Sequence, residues 1–203
     1  KKDAHERART LLDTVGLDVA ASDGIYYYNF SGTAVINLAG GGMTLTIANK
    51  CVFLLTNHAT IPAISTSGNA SFVINSTGSL VVYTNGDLSF SGNGVNNTTA
   101  QPGKCIILST NTTSTQTITL NGGTSLNAAV YAPNATIAVN GGGAAGFVSG
   151  SIIGRTITMS GNATFHYDEA LQVGAATNPV RVGKWKELRT QSERNAYTAA
   201  LNF

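Results

Sequence analysis

The chain has 203 residues, 42% of them hydrophobic and only 11% charged, with a formal net charge of +2; an ordinary globular chain carries about 25% charged residues. That apolar content supplies a core and argues against disorder, which needs few aliphatics and high net charge. Between Gly24 and Gly154 the only charged residues are Lys50, Asp87 and Lys104. This stretch therefore has no clustered basic surface to track phosphates and predicts no nucleic-acid partner, and no run approaches the roughly 20 apolar residues of a membrane span.

The chain opens on Lys1-Lys2-Asp3 with no signal peptide, as expected of a processed chain or a piece of a longer one. Residues 3–15 read as an amphipathic helix. Asp3 with Glu6 resembles a capping pair, Ala4, Ala8, Leu11, Leu12 and Val15 recur at helical spacing, and Gly16 is a stop. Residues 1–23 are thus a helix and linker.

From Gly24 the period becomes strand-like and the sequence begins to repeat. Five segments begin with a small residue and continue through apolar ones: Cys51–Asn57, Ser79–Asn85, Cys105–Asn111, Ala128–Asn134 and Ser151–Thr156. A second strand and a Gly/Asn turn follow each, and Ser67-Gly-Asn-Ala-Ser-Phe72 nearly repeats as Ser160-Gly-Asn-Ala-Thr-Phe165. Units of about 23–28 residues with short strands match one coil of a solenoid. Residues 24–171 are therefore predicted to form an all-β, parallel β-solenoid (β-helix). A β-sandwich shares the short strands and Gly-rich turns but does not predict the recurring string. Aligning the repeats puts Cys51, Ser79, Cys105, Ala128 and Ser151 in one column of small side chains. It also puts Asn57, Asn85, Asn111 and Asn134 in a ladder of amides, each satisfied by the next coil.

Cys51 and Cys105 then lie two coils apart, about 9.6 Å at a coil step of about 4.8 Å. A disulfide requires less than about 7 Å, so two free thiols are expected. Asn-x-Ser/Thr triplets at Asn29, Asn69, Asn75, Asn97, Asn111, Asn134 and Asn162 are read as turn chemistry rather than glycan sites. After Asp168 the pattern stops. Residues 172–203 read as a loop and a charged segment, helical from about Thr190, that caps the last coil or contacts a partner.

The densest polar cluster, His166-Tyr-Asp168-Glu169, reads either as a metal or acid/base site or as a side-chain network closing the solenoid end. Only His166 and Asp168 share a strand face, and too few further ligands are identifiable to hold an ion. Asp87 is the only acid in the solenoid body, so no carboxylate pair of the glycosidase kind is expected there. No nucleophile elbow and no phosphate loop is present. Catalytic, metal and cofactor sites are accordingly expected to be absent. Tyr26 and Tyr28 share one face near the first coil, either packing on the helix or stacking on sugars, and with Trp185 they form a possible contact surface.

Three strings, Val130-Tyr-Ala-Pro-Asn-Ala135, Gly150-Ser-Ile-Ile153 and Ser160–Leu171, make the region from Gly24 to Leu171 resemble the C-terminal domain of bacterial PilX-like, type IV pilus assembly-associated proteins. Trp185-Lys-Glu-Leu188 resembles their Trp-containing tail. The resemblance implies a surface-exposed, extracellular or fimbrial protein, with pilus components or its own copies as partners and no established catalytic residues. The hydrophobic pilin-like helix with which such proteins begin is not in this sequence. Bactofilins, solenoids that polymerise end to end, are a more distant similarity. The expected function is a structural subunit assembling through its ends. The alternatives are an adhesin binding surface glycans and a carbohydrate-active enzyme.

Overall fold

A computed structural model describes residues 24–30, 34–59, 61–113, 115–122, 126–141 and 147–171. All belong to one unit, Lys1–Leu171. The expected helix over 3–15, the segment 172–203 and Trp185 lie outside the described residues.

The described chain is an all-β parallel solenoid. Its first coil holds β1 (Tyr26–Asn29), β2 (Ile36–Leu38) and β3 (Thr44–Ile47). The second holds β4 (Lys50–Leu55), β5 (Pro62–Thr66) and β6 (Ser71–Ile74), and the third β7 (Ser79–Thr84), β8 (Asp87–Phe90) and β9 (Val95–Asn97). The fourth has β10 (Cys105–Ser109) and β11 (Thr117–Gly122). In the fifth and sixth coils single long strands, β12 (Leu126–Gly141) and β13 (Phe147–Gly161), bend through the corner and serve two faces, before β14 (Thr164–Tyr167) starts another turn. Every pairing is parallel and joins one coil to the next. The first face runs β1-β4-β7-β10 and on through Ala129–Tyr131 of β12 and Ser151–Ile153 of β13, the second runs β2-β5-β8-β11-β12-β13, and β3-β6-β9 form a separate third ladder. The starts of β12 and β13 pair with each other ahead of the first face, and β14 adds to Phe147–Gly150 there.

Register is set by alternation. Cys51, Phe53 and Leu55 point inward from β4, and they pair with Leu80, Val82 and Thr84, also inward. This corrects the alignment of repeats: Cys51 and Cys105 both pair with Leu80, not Ser79, and the column continues through Ala128 to Gly150 rather than Ser151. A one-residue slip would turn every core side chain outward. The two thiols stay free and buried, with Leu80 between them. The core is a continuous stack of apolar columns, among them Leu38, Phe53, Leu55, Phe72, Val82, Leu88, Ile107, Ile118, Val130 and Ile137.

Corners depend on glycine where coils crowd. Gly92 has φ +70°, and a Cβ there would sit 1.9 Å from the Gly68 carbonyl oxygen. Only glycine tolerates both that backbone and that approach.

Candidate functional site

The solenoid ends differently at its two extremities. In the first coil the inward residues Phe30, Ile36, Leu38 and Ile47 are only 3–8% exposed. In the last coil Ile157 and Met159 sit in register with the buried Ile137 and Val139, and Phe165 is in register with buried Val148. Tyr167 pairs with Gly150 on the same inward column. These four carry core positions, yet they are 39–43% exposed. Among the described residues no strand lies beyond the Thr156–Gly161 half of β13 or beyond β14. Among the described residues the last coil ends unevenly: β14 adds one strand over Phe147–Gly150 at the start of β13, while the Ser151–Ile153 stretch that continues the first face and the Thr156–Gly161 stretch of the second carry no further strand.

One corner of the solenoid is polar and buried. The Asn134 amide donates to the Asn111 carbonyl at 3.0 Å, and the Asn111 amide to the Asn85 carbonyl at 2.7 Å. Asn85 in turn accepts the backbone N–H of His58 on its side-chain oxygen at 2.7 Å. The ladder thus holds Asn85, Asn111 and Asn134, linked through main-chain groups rather than amide to amide. Asn57 is exposed and outside it, because register places the buried Leu55 against Thr84 and brings His58 to the corner. His58 Nε2 bonds the Ala34 carbonyl, and its Nδ1 has no partner. Gln116, also buried, donates to the Gly86 carbonyl at 2.7 Å and accepts from the Ser109 hydroxyl at 2.5 Å. Sequence reading missed Gln116, whose only signal was a long polar residue just before an alternating strand.

The Asn-x-Thr triplets at Asn75, Asn97 and Asn111 are turn devices. Each asparagine side-chain oxygen accepts both the N–H and the hydroxyl of the threonine two residues on.

The two long faces differ outwardly. Asn37, Ser65, Ser89, Thr119, Ala138 and Thr158 form one uncharged, mostly hydroxylated column on the second face. On the first, Leu54, Tyr83, Leu108, Tyr131 and Ile153 form an apolar column beside Val52, Val81 and Ile106.

His166, Asp168 and Glu169 all lie at the last strand but do not form the expected network. The His166 ring lies 5.1 Å from that of Phe147. Asp168 accepts the Ala170 N–H at 2.9 Å and so caps the 3-10 turn Glu169–Leu171, while Glu169 is exposed. No hydrogen bond joins the three, because the strand ends at Tyr167 and Asp168 and Glu169 already belong to the turn that follows. Asp87 is spent as an acceptor for the Thr117 N–H at 2.7 Å. Tyr26 and Tyr28 turn inward and pack against the core, with Tyr28 edge-on to Phe53 at 5.4 Å; Tyr27 is the tyrosine that faces out. Burial pushes the Cys105 thiol up to about 12. Burial raises Cys51 as well, against an opposing backbone hydrogen bond at Asn49, and raises Tyr28, helped by Cys51 and Tyr26. Among the described residues no group of three His, Cys, Asp or Glu converges as metal ligands, and no helix is long and apolar enough to cross a membrane.

Residues 2–173 match a family model described as Domain of unknown function (DUF7305). No curated protein and no solved structure matches the chain.

Proposed function

We propose that this chain, which belongs to the DUF7305 family, is a structural subunit of the bacterial cell surface, pilus-associated, that assembles through the end of its coil stack. The observation that carries this reading is the exposed last coil, where Ile157, Met159, Phe165 and Tyr167 hold core positions with no described strand above them. Exposed core columns beside open strand edges are the ingredients of strand addition. The rest of the solenoid acts as a stiff spacer that presents its outer faces. The resemblance of Ser160–Leu171 to pilus assembly-associated proteins supports the surface setting.

The test has two parts. Immunogold labelling of intact producing cells should decorate the surface, and sedimentation of the purified chain should show concentration-dependent association that Met159→Lys weakens. Labelling confined to the interior, or a monomer indifferent to that substitution, would remove the reading. An adhesin reading would rest on the hydroxylated column of the second face, since Tyr26 and Tyr28 face the core. A glycan array tests it.

A further inference from the structure

The outer side of the first face is apolar where that of the second is hydroxylated. We propose that residues 3–15 form a helix that lies along the first face, across its strands, and covers its apolar columns. Residues 3–15 lie outside the described residues; the face, their sequence and the point where the chain enters the first coil carry the inference.

Leu54, Tyr83, Leu108, Tyr131 and Ile153 stand one per coil in a single outward column. Val52, Val81 and Ile106 stand beside them, two positions earlier in each strand. Tyr131 and Ile153 are 40% and 37% exposed. A contiguous apolar strip marks a contact surface, as singly scattered apolar residues do not. The corresponding column of the second face, with Asn37, Ser65, Ser89 and Thr119, is polar and needs no cover.

The strip has the dimensions of one short helix. From Leu54 to Ile153 it runs about 19 Å, at about 4.8 Å per coil. Residues 3–15, helical throughout, span about 20 Å. The two columns lie about 7 Å apart, and a helix is about 10 Å across. That footprint, on the order of 200 Å², is small against the roughly 800 Å² per partner of a stable interface between separate molecules. A second copy is therefore the weaker occupant. A tethered segment needs less area, because its effective concentration is in the millimolar range.

The sequence supplies the matching stripe. Ala4, Ala8, Leu11, Leu12 and Val15 fall on one side of a helix, with Glu6 and Asp13 opposite. Direction follows from the tether. Gly16–Asp23 joins the segment to Gly24, just before β1 of the first coil. With Val15 beside the second coil this linker is relaxed. The reverse direction would stretch it to nearly its full length, at about 3.3 Å per residue. A rise of about 1.5 Å per residue then sets Val15 near Leu54, Leu11 near Tyr83, Ala8 near Leu108 and Ala4 near Tyr131. The two alanines fall where the helix passes Leu108 and the larger Tyr131.

The experiment uses the full chain. Ala8→Cys with Leu108→Cys, mildly oxidised, should close an internal disulfide, read as a monomer whose introduced thiols no longer react. Glu6→Cys with Leu108→Cys should stay open, since Glu6 lies on the far side of the helix. Cys51 and Cys105 are buried and take no part. A second measurement needs no cysteine in the helix. A Tyr131→Cys probe should react several-fold faster with a thiol reagent once Leu12→Glu is added. A Thr119→Cys probe on the second face should be indifferent to Leu12→Glu. Equal cross-linking of the two cysteine pairs, or a Tyr131→Cys probe indifferent to Leu12→Glu, would overturn the helix cover. A covalent dimer in place of the internal bond would overturn it too and make a second copy the occupant.

Discussion

The Asn111 side-chain amide donates to the backbone carbonyl of Asn85 at 2.7 Å, one coil step away. Its side-chain oxygen meanwhile accepts the Thr113 N–H at 2.7 Å. One buried side chain thus satisfies the corner of its own coil and ties it to the coil before. Asn111→Ala strands these groups and should cost about 1–3 kcal/mol in urea unfolding. Asn57→Ala, at an exposed position outside the ladder, should change stability by less than about 0.5 kcal/mol. Equal effects of the two substitutions would contradict the register described here.

Gly92→Ala tests the corner. The added methyl group would meet a main-chain oxygen of the preceding coil at 1.9 Å in a left-handed backbone. A clash with backbone cannot be relieved by a side-chain rotation, so a loss of at least about 2 kcal/mol is expected. Circular dichroism during thermal unfolding measures it. Gly103→Ala is the matched control, since the nearest atom to a Cβ there is a flexible leucine methyl at 4.0 Å.

The buried polar pair Ser109–Gln116 should behave as a unit. Ser109→Ala and Gln116→Leu each break the 2.5 Å hydrogen bond between them. The double variant should therefore lose less than the sum of the singles, with a coupling of about 0.5–3 kcal/mol in a double-mutant cycle. A strictly additive result would mean that the bond contributes nothing.

Cys105 sets an alkaline limit. Its thiol is raised to about 12 in the fold by burial, against an ordinary value of about 9. Between those values the unfolded chain gives up the proton and the folded chain keeps it. Stability from this group is complete below about pH 9 and falls by up to about 1.4 kcal/mol per pH unit as pH rises towards 12. Denaturant midpoints measured across that window should drop, and Cys105→Ala should flatten the slope. At neutral pH a thiol reagent should label Cys105 only as fast as the chain opens.

Much of the architecture was legible in the residues. The recurrence of small–apolar–Asn strings announced a coil, and the free thiols followed from its spacing. Register was harder. Thr56-Asn57 looks like Thr84-Asn85, but Leu55 is fully buried and takes the place of Thr84, which moves the corner to His58. Inward–outward alternation, not similarity of strings, decides which residues share a column. Runs such as Leu80-Val-Val-Tyr83 carry apolar residues at nearly every position, so the sequence does not mark which members face out; the outer ones form a half-exposed apolar column. The uneven end of the last coil was least legible of all. Ile157 and Met159 alternate like any core pair, and nothing local says that they would be exposed with no described strand above them.

Because every ladder bond joins neighbouring coils, the main-chain hydrogen bonds lie along the long direction of the stack. Tension applied between the two extremities would load those bonds end-on and one layer at a time. Successive coils span 22 residues from Ala128 to Gly150 and 29 from Cys51 to Leu80. Each released layer would pay out roughly 75–100 Å of chain. A rod built this way yields to pulling by lengthening in increments, and its remaining layers stay folded.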